Sequence, residues 1–149
     1  MIIHAWGLPR ALTTATMYSF NQREDCDVYD EPLYAHYLRL HPEQSRPYRE
    51  ELLRSAETDG NEVLRAIIAR AESTGKIQYL KHITKFHQDL DTSLLFKENS
   101  VHILLLRNPI NVIQSWDQNR DKHVVPSCAI DDVGFPDLMR IYLQVRPTD

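Results

Sequence analysis

The chain opens with Ile2-Ile3-His4-Ala5-Trp6-Gly7-Leu8-Pro9-Arg10-Ala11-Leu12-Thr13-Thr14, and the reading of this stretch decides the fold. Ile2 to Trp6 reads as a short strand, Gly7-Leu8-Pro9-Arg10 as a turn, and Thr13-Thr14 as the start of a helix running to about Arg23. A strand that turns directly into a helix aims the free N–H groups and the positive dipole end of the first helical turn at whatever lies beyond the strand. A phosphate or sulfate suits that position. Arg10 adds a fixed charge and a planar fork of donors, and Thr13 and Thr14 add hydroxyls that can cap the helix or bond an anion.

Outward from this stretch, strands and helices alternate. Asp27 to Asp30 reads as a second short strand stopping at Glu31-Pro32, where a helix carrying Leu33, Tyr34, Tyr37, Leu38 and Leu40 begins. Arg49 to Ala56 and Asn61 to Ser73 read as two more helices, completing an all-helical insertion between strands two and three. Gly75 ends the last of these, and Ile77, Tyr79, Leu80 and Ile83 mark a third strand finishing near Lys81-His82. Phe86 to Asn99 is expected as a helical crossover. The continuous apolar run Val101-His102-Ile103-Leu104-Leu105-Leu106 suits a central parallel strand buried on both faces. It ends at Arg107. Asn108 as cap and Pro109 in the first turn predict a helix to about Arg120, then a loop over Asp121 to Phe135 and a last helix over Pro136 to Val145. This pattern predicts a single α/β domain over residues 1–149: three layers, a mostly parallel sheet of about four strands, and helices on both faces.

Composition narrows the function classes. A net charge of -4 disfavours nonspecific nucleic-acid binding, so any anion site must be local. No apolar run approaches the ~20 residues of a membrane span, and Pro9 and Arg10 interrupt the only candidate signal core, which leads to the expectation of a cytoplasmic protein without membrane partners. Cys26 and Cys128 have no metal spacing and read as structural thiols in a reducing compartment. His87, Asp89 and Asp91 read as helix-start polar residues rather than metal ligands, so no metal is expected.

Ligands of open parallel sheets bind beyond the carboxyl ends of the strands. The four exits here are Arg10, Asp30-Glu31, Lys81-His82 and Arg107, which suit an anionic cofactor beside an acceptor that must lose a proton. Asn108, Asn111 and Ser115 are spaced to share one helix face next to Arg107, with Val112, Ile113 and Trp116 turned toward the core. Tyr34, Tyr37 and Tyr48 are either pocket walls or core, the latter being commoner at helical spacing. The Walker A pattern fails: counted from Gly7, Leu12 stands at the second glycine and Thr13 at the lysine, and only Thr14 fits. A P-loop kinase is thereby disfavoured.

These residues resemble the P-loop sulfotransferase family, which uses 3′-phosphoadenosine 5′-phosphosulfate. Pro9-Arg10-Ala11-Leu12-Thr13-Thr14 is similar to the family's Pro-Arg/Lys-Ser-Gly-Thr-Thr motif, and Arg107 with Ser115 to its second, an arginine at a strand end and a serine eight residues on. Asp30-Glu31-Pro32-Leu33-Tyr34-Ala35-His36 and Arg46-Pro47-Tyr48-Arg49 resemble the sulfotransferase-like domain attached to plant branched-chain aminotransferase-like proteins. The resemblance implies that Arg10, Ala11, Leu12, Thr13 and Thr14 hold the 5′-phosphosulfate and that Arg107 and Ser115 hold the 3′-phosphate. The product would be adenosine 3′,5′-bisphosphate, and the sulfuryl group would pass to a hydroxyl or amine of an acceptor. Arg10 would stabilise the leaving phosphate. His82 is the first candidate for the base, because imidazole with an ordinary pKa of about 6.5 suits proton removal. Glu31 is the rival, since other branches of the family use a carboxylate. Ala11 and Leu12 depart from the serine and glycine of the motif, and the family's basic closing segment has no counterpart after Val145. The resemblance therefore implies a sulfotransferase-like domain lacking the family's C-terminal portion, with weak or absent turnover; a noncatalytic nucleotide-binding or interaction module is the alternative.

Overall fold

The computed structural model describes residues 1–119 and 133–145. Four parallel strands, β1 (Ile2–Gly7), β2 (Cys26–Asp30), β3 (Ile77–Ile83) and β4 (Ser100–Leu105), form one sheet in the order β2-β3-β1-β4. The register pairs Trp6 with His82 on one side and Leu104 on the other, and Asp30 with Lys81. All four carboxyl ends therefore open onto the same edge. The α/β parallel architecture expected from the sequence is the one observed.

Period-two alternation divides the sheet residues between two layers. Ile3, Ala5 and Tyr79 face α1 (Thr13–Asn21), whose Met17 is buried against them. Ile2, Trp6 and Leu80 face the helical insertion. That insertion is α2 (Tyr34–Leu40), α3 (Arg49–Ser55) and α4 (Gly60–Thr74), and it lies between β2 and β3 as expected. Asp59 starts α4 by accepting from the Asn61 and Glu62 N–H groups, and Gly75 ends it at φ 68°, a left-handed turn that glycine reaches without strain. Between these caps Leu64, Ile67 and Ala71 form one buried stripe. Removing the Leu64 and Ile67 side chains from water stabilises the layer by roughly 1.5–3 kcal/mol each.

Two expectations about the elements are corrected. β1 rather than β4 is central: among the described residues β4 is the sheet edge, and Val101 is 45% exposed. A continuous apolar run fits an edge strand equally well when a helix covers its inner face, and here Leu104 packs in the cluster that holds Val112, Leu138 and Ile141. The second concerns Phe86 to Asn99, which is not a continuous helix. A 3-10 turn (Thr84–His87) and a single helical turn, α5 (Thr92–Leu95), are separated by Asp89 at φ 53°. Asp91 takes both the N–H and the hydroxyl of Ser93, so it caps a new turn instead of continuing an old one. After β4 come α6 (Pro109–Asn119), capped by Asn108 through the Ile110 N–H, and α7 (Phe135–Val145). Most of the expected Asp121–Phe135 loop, with Cys128, lies outside the described residues. No described helix is long and apolar enough to cross a membrane.

Candidate functional site

At the carboxyl end of β1 the chain makes two left-handed steps, Arg10 at φ 65° and Leu12 at φ 63°, before α1 begins. Alternating left- and right-handed residues bend the backbone into a concavity lined with N–H groups, and Leu12, at the N-cap of α1, makes no side-chain cap. Gly7 makes this bend possible. A Cβ there would lie 2.2 Å from the Thr13 methyl, far inside contact distance, so only glycine lets the helix start sit against the strand end. Leu12, which stands where the resembled motif has glycine, takes the left-handed position. Its side chain is 71% exposed and does not line the cavity beyond the loop, so it adopts the required backbone with its bulk in solvent. Ala11 is buried in the core.

The two sequence motifs touch. Arg10 Nε donates to Ser115 Oγ at 3.1 Å, and Arg107 donates to the Arg10 carbonyl. Residues about a hundred positions apart in sequence thus form one polar rim, because β4 runs beside β1 and α6 leaves from its end. Trp116, one residue past Ser115, lines the cavity, while Ile113, expected toward the core, is 46% exposed.

That cavity has a volume of about 300 Å³. Arg10, Thr13 and Thr14 form one end, Lys81 comes from the adjacent β3, and Glu31 follows the end of β2 beyond it. Lys81 is 5% exposed, and its Nζ donates to Asp30 Oδ1 at 2.6 Å and Glu31 Oε1 at 2.8 Å. Burial opposes the charged amine most strongly, but the hydrogen bonds and charges of the two carboxylates outweigh it, so the Lys81 pKa is raised. Glu31 sits at φ 51°, and its N–H bonds the Lys81 carbonyl, which turns the chain off the end of β2 and keeps its carboxylate beside the ammonium. Tyr34, Tyr37 and Phe86 supply an aromatic wall, whereas Tyr48 is 77% exposed and stands apart.

His82 is not brought to this cavity. It faces the opposite layer from Lys81, is completely buried, and stacks on Trp6 with ring centroids 4.2 Å apart. Its Nε2 meets His4 Nδ1 at 3.1 Å, and Trp6 Nε1 donates to His102 Nδ1 at 3.0 Å, so the three imidazoles and the indole form one packed layer. Desolvation, then the neighbouring imidazoles, push the His82 pKa well below its ordinary value. The same burial lowers His4 to about 3 and also lowers the His102 pKa. The sequence carried half of the signal: adjacent residues of a strand face opposite sides, so only one of Lys81 and His82 can reach a cavity on a given face, but alternation alone does not say which. The parts that sequence reasoning did not place in the site are Lys81 as a holder of Glu31, and the cations Arg46 and Lys85 on the cavity wall.

The profile of a family described as a sulfotransferase domain matches residues 1–145. Two Arabidopsis thaliana proteins, branched-chain-amino-acid aminotransferase-like proteins 2 and 1, are 40% and 38% identical to the chain over 141 and 142 residues. Each alignment covers 95% of this chain and 24% of the relative, so the chain spans about a quarter of the length of the curated relatives it matches. With the loop of β1 and the Arg107–Ser115 rim meeting in one site and the profile running almost end to end, the chain belongs to the sulfotransferase domain family.

Proposed function

We propose that the site binds 3′-phosphoadenosine 5′-phosphosulfate and serves transfer of its sulfuryl group to a hydroxyl or amine acceptor. The observation that carries this reading is the contact between the two motifs: Arg10 and Arg107 share a rim with Ser115 beside the open first turn of α1. The donor set suits a nucleotide with two separate anionic groups, since it joins two guanidinium groups, three hydroxyls (Thr13, Thr14, Ser115) and a helix N-terminus. The cradle is also unobstructed, with Leu12 turned outward and no Cβ at Gly7. When bound, the donor supplies an activated sulfuryl group with a phosphate as leaving group. Arg10 and the first-turn N–H groups stabilise the negative charge that develops on that phosphate. Glu31 takes the acceptor's proton; Lys81 holds one of its oxygens and leaves Oε2 without a hydrogen-bond partner among the described residues. His82, buried in another layer, acts on packing instead.

The reading predicts that adenosine 3′,5′-bisphosphate binds at least about tenfold more tightly than ATP, because ATP leaves the Arg107–Ser115 end empty; one charged hydrogen bond is worth roughly that factor. Isothermal calorimetry measures both, and equal affinities would sink the proposal. Arg107→Ala should weaken the bisphosphate by about ten- to a hundredfold, through the lost phosphate contact and the loosened Arg10 loop.

A further inference from the structure

We infer that the chain pairs with a second copy of itself through β4 and α7, the two β4 edges joining antiparallel about a two-fold axis so that two four-stranded sheets become one continuous sheet. The inference goes beyond sulfuryl transfer and concerns another face of the molecule. The apolar cavity on that face shares no described lining residue with the cavity that holds Arg10 and Glu31.

The two edges of the sheet are built differently. On β2, Asp27 pairs with Arg70 at 2.8 Å and with Lys76 at 3.7 Å, and Asp30 pairs with Lys81 at 2.6 Å. Charges of this kind keep an edge from pairing with another chain. β4, Ser100-Val101-His102-Ile103-Leu104-Leu105, has no acidic residue, lysine, arginine or proline, and Val101 is 45% exposed. The Ile2 N–H bonds the Asn99 carbonyl, so alternation turns the backbone groups of Val101 and Ile103 toward β1 and those of His102 and Leu104 toward the open edge. That edge is a template for a further strand, with no charge to blunt it.

α7 adds an apolar stripe beside the same strand. Its Leu138 and Ile141 are buried, while Met139, Tyr142 and Leu143, at i, i+3 and i+4, are 58%, 49% and 50% exposed. Between this helix and the end of β4 lies a cavity of about 450 Å³ lined by Leu104, Leu106, Phe135, Leu138, Met139 and Tyr142. No charged residue lines it among the described residues.

Charge, strand geometry and area together select a second copy as the occupant. In a two-fold contact each residue approaches its own counterpart, so a net charge on the face would repel itself. The charges of α7 are Asp137 and Arg140, which bond each other at 2.7 Å and cancel. Two identical edges paired antiparallel also set the outward His102 of one copy against the outward Leu104 of the other, which satisfies both sets of backbone groups at once. The strip runs about 20 Å along the strand and spans a sheet and a helix layer of about 10 Å each, so each copy offers on the order of 500 Å². Two copies then bury on the order of 1,000 Å², where specific interfaces begin, and the contact is a reversible one.

The test is sedimentation equilibrium on the full chain between about 1 and 200 µM, the range that suits a reversible contact. The mass should rise from 17.4 kDa toward twice that value and stop there. Tyr142→Lys and Tyr142→Glu, each checked for folding by circular dichroism, should weaken self-association by about tenfold or more, because like charges then face each other. An equimolar mixture of the two variants should regain the dimer. Met139→Lys and Met139→Glu serve the same purpose one turn earlier if either Tyr142 variant fails to fold. A chain that stays monomeric at the highest concentration gives the face to a different occupant and overturns the inference. A mass that grows past two copies, a dimer that the charged variants leave intact, or monomeric variants that do not pair when mixed overturns it equally, and none of these outcomes touches the nucleotide site.

Discussion

Three non-glycine residues in left-handed conformation, Arg10, Leu12 and Glu31, flank the site. A side chain in that region costs roughly 1–2 kcal/mol, and such strain persists where surrounding structure holds it, often around ligand sites. Leu12→Val should therefore lower stability by about 1 kcal/mol, since a branched Cβ tolerates positive φ worse than leucine does. Leu12→Gly should be close to neutral, the relieved strain offsetting the roughly 0.4–1 kcal/mol lost to a more flexible unfolded chain. Urea midpoints of the two variants check this pair; a neutral valine would show that residue 12 is not held left-handed. At the same scale Glu31 and His82 separate by readout. Glu31→Gln should lower any transfer rate by about two to four orders of magnitude at little cost in stability. His82→Ala should leave nucleotide affinity intact in the folded protein while costing roughly 2–4 kcal/mol of stability, as removal of a large buried side chain does. A rate loss confined to His82→Ala would return the base to the imidazole.

At the scale of elements, three strands each contribute one histidine to a single buried layer, His4 from β1, His82 from β3 and His102 from β4. Desolvation lowers the pKa of all three, with His4 lowered to about 3. The unfolded chain binds protons at these groups near pH 6.5 and the folded chain does not, so stability rises with pH through this window. It is fully present above about pH 6.5 and is lost as the pH falls toward 3, by up to about 1.4 kcal/mol per pH unit for each histidine that still differs. Melting temperature should accordingly drop between pH 7 and pH 4, and His4→Phe should flatten the slope; a flat profile in the parent chain would mean that these imidazoles are hydrated. This layer also shows where sequence reading stops. The order of strands and helices was legible because each strand carries its apolar period and each helix its caps, as Asp59, Gly75 and Asn108 do. Nothing in the local pattern of Val101 to Leu106 distinguishes an edge from a centre, because lateral order is fixed by which strands pair, and pairing is not a local property. Likewise the sequence brought forward both Lys81 and His82, but the choice between them needed the register that sets Lys81 against Asp30.

For the whole molecule, the question is how much of the reaction this chain supports by itself. Transfer needs an anchored donor in a place from which water is excluded, since positioning and a low-polarity surround supply most of the barrier reduction. The described residues give anchoring on one side only. Arg10 is exposed, and Leu12 at 71%, Leu106 at 74% and Ile110 at 64% exposure leave the rim around Arg107 open to solvent. Binding should therefore be retained better than turnover. Adenosine 3′,5′-bisphosphate at a hundred times its dissociation constant should stabilise the folded state by about 2.7 kcal/mol, visible as a rise of several degrees in melting temperature. The 149-residue chain, given radiolabelled donor and a panel of phenols, alcohols and amines, should transfer sulfate far more slowly than the ordinary enzyme range of about 1–1,000 per second. The combination is the informative result, because a thermal shift with slow transfer locates the deficit in closure of the site, whereas turnover near one per second would show that the open rim is no obstacle and that the cradle, Glu31 and Lys81 suffice for the chemistry.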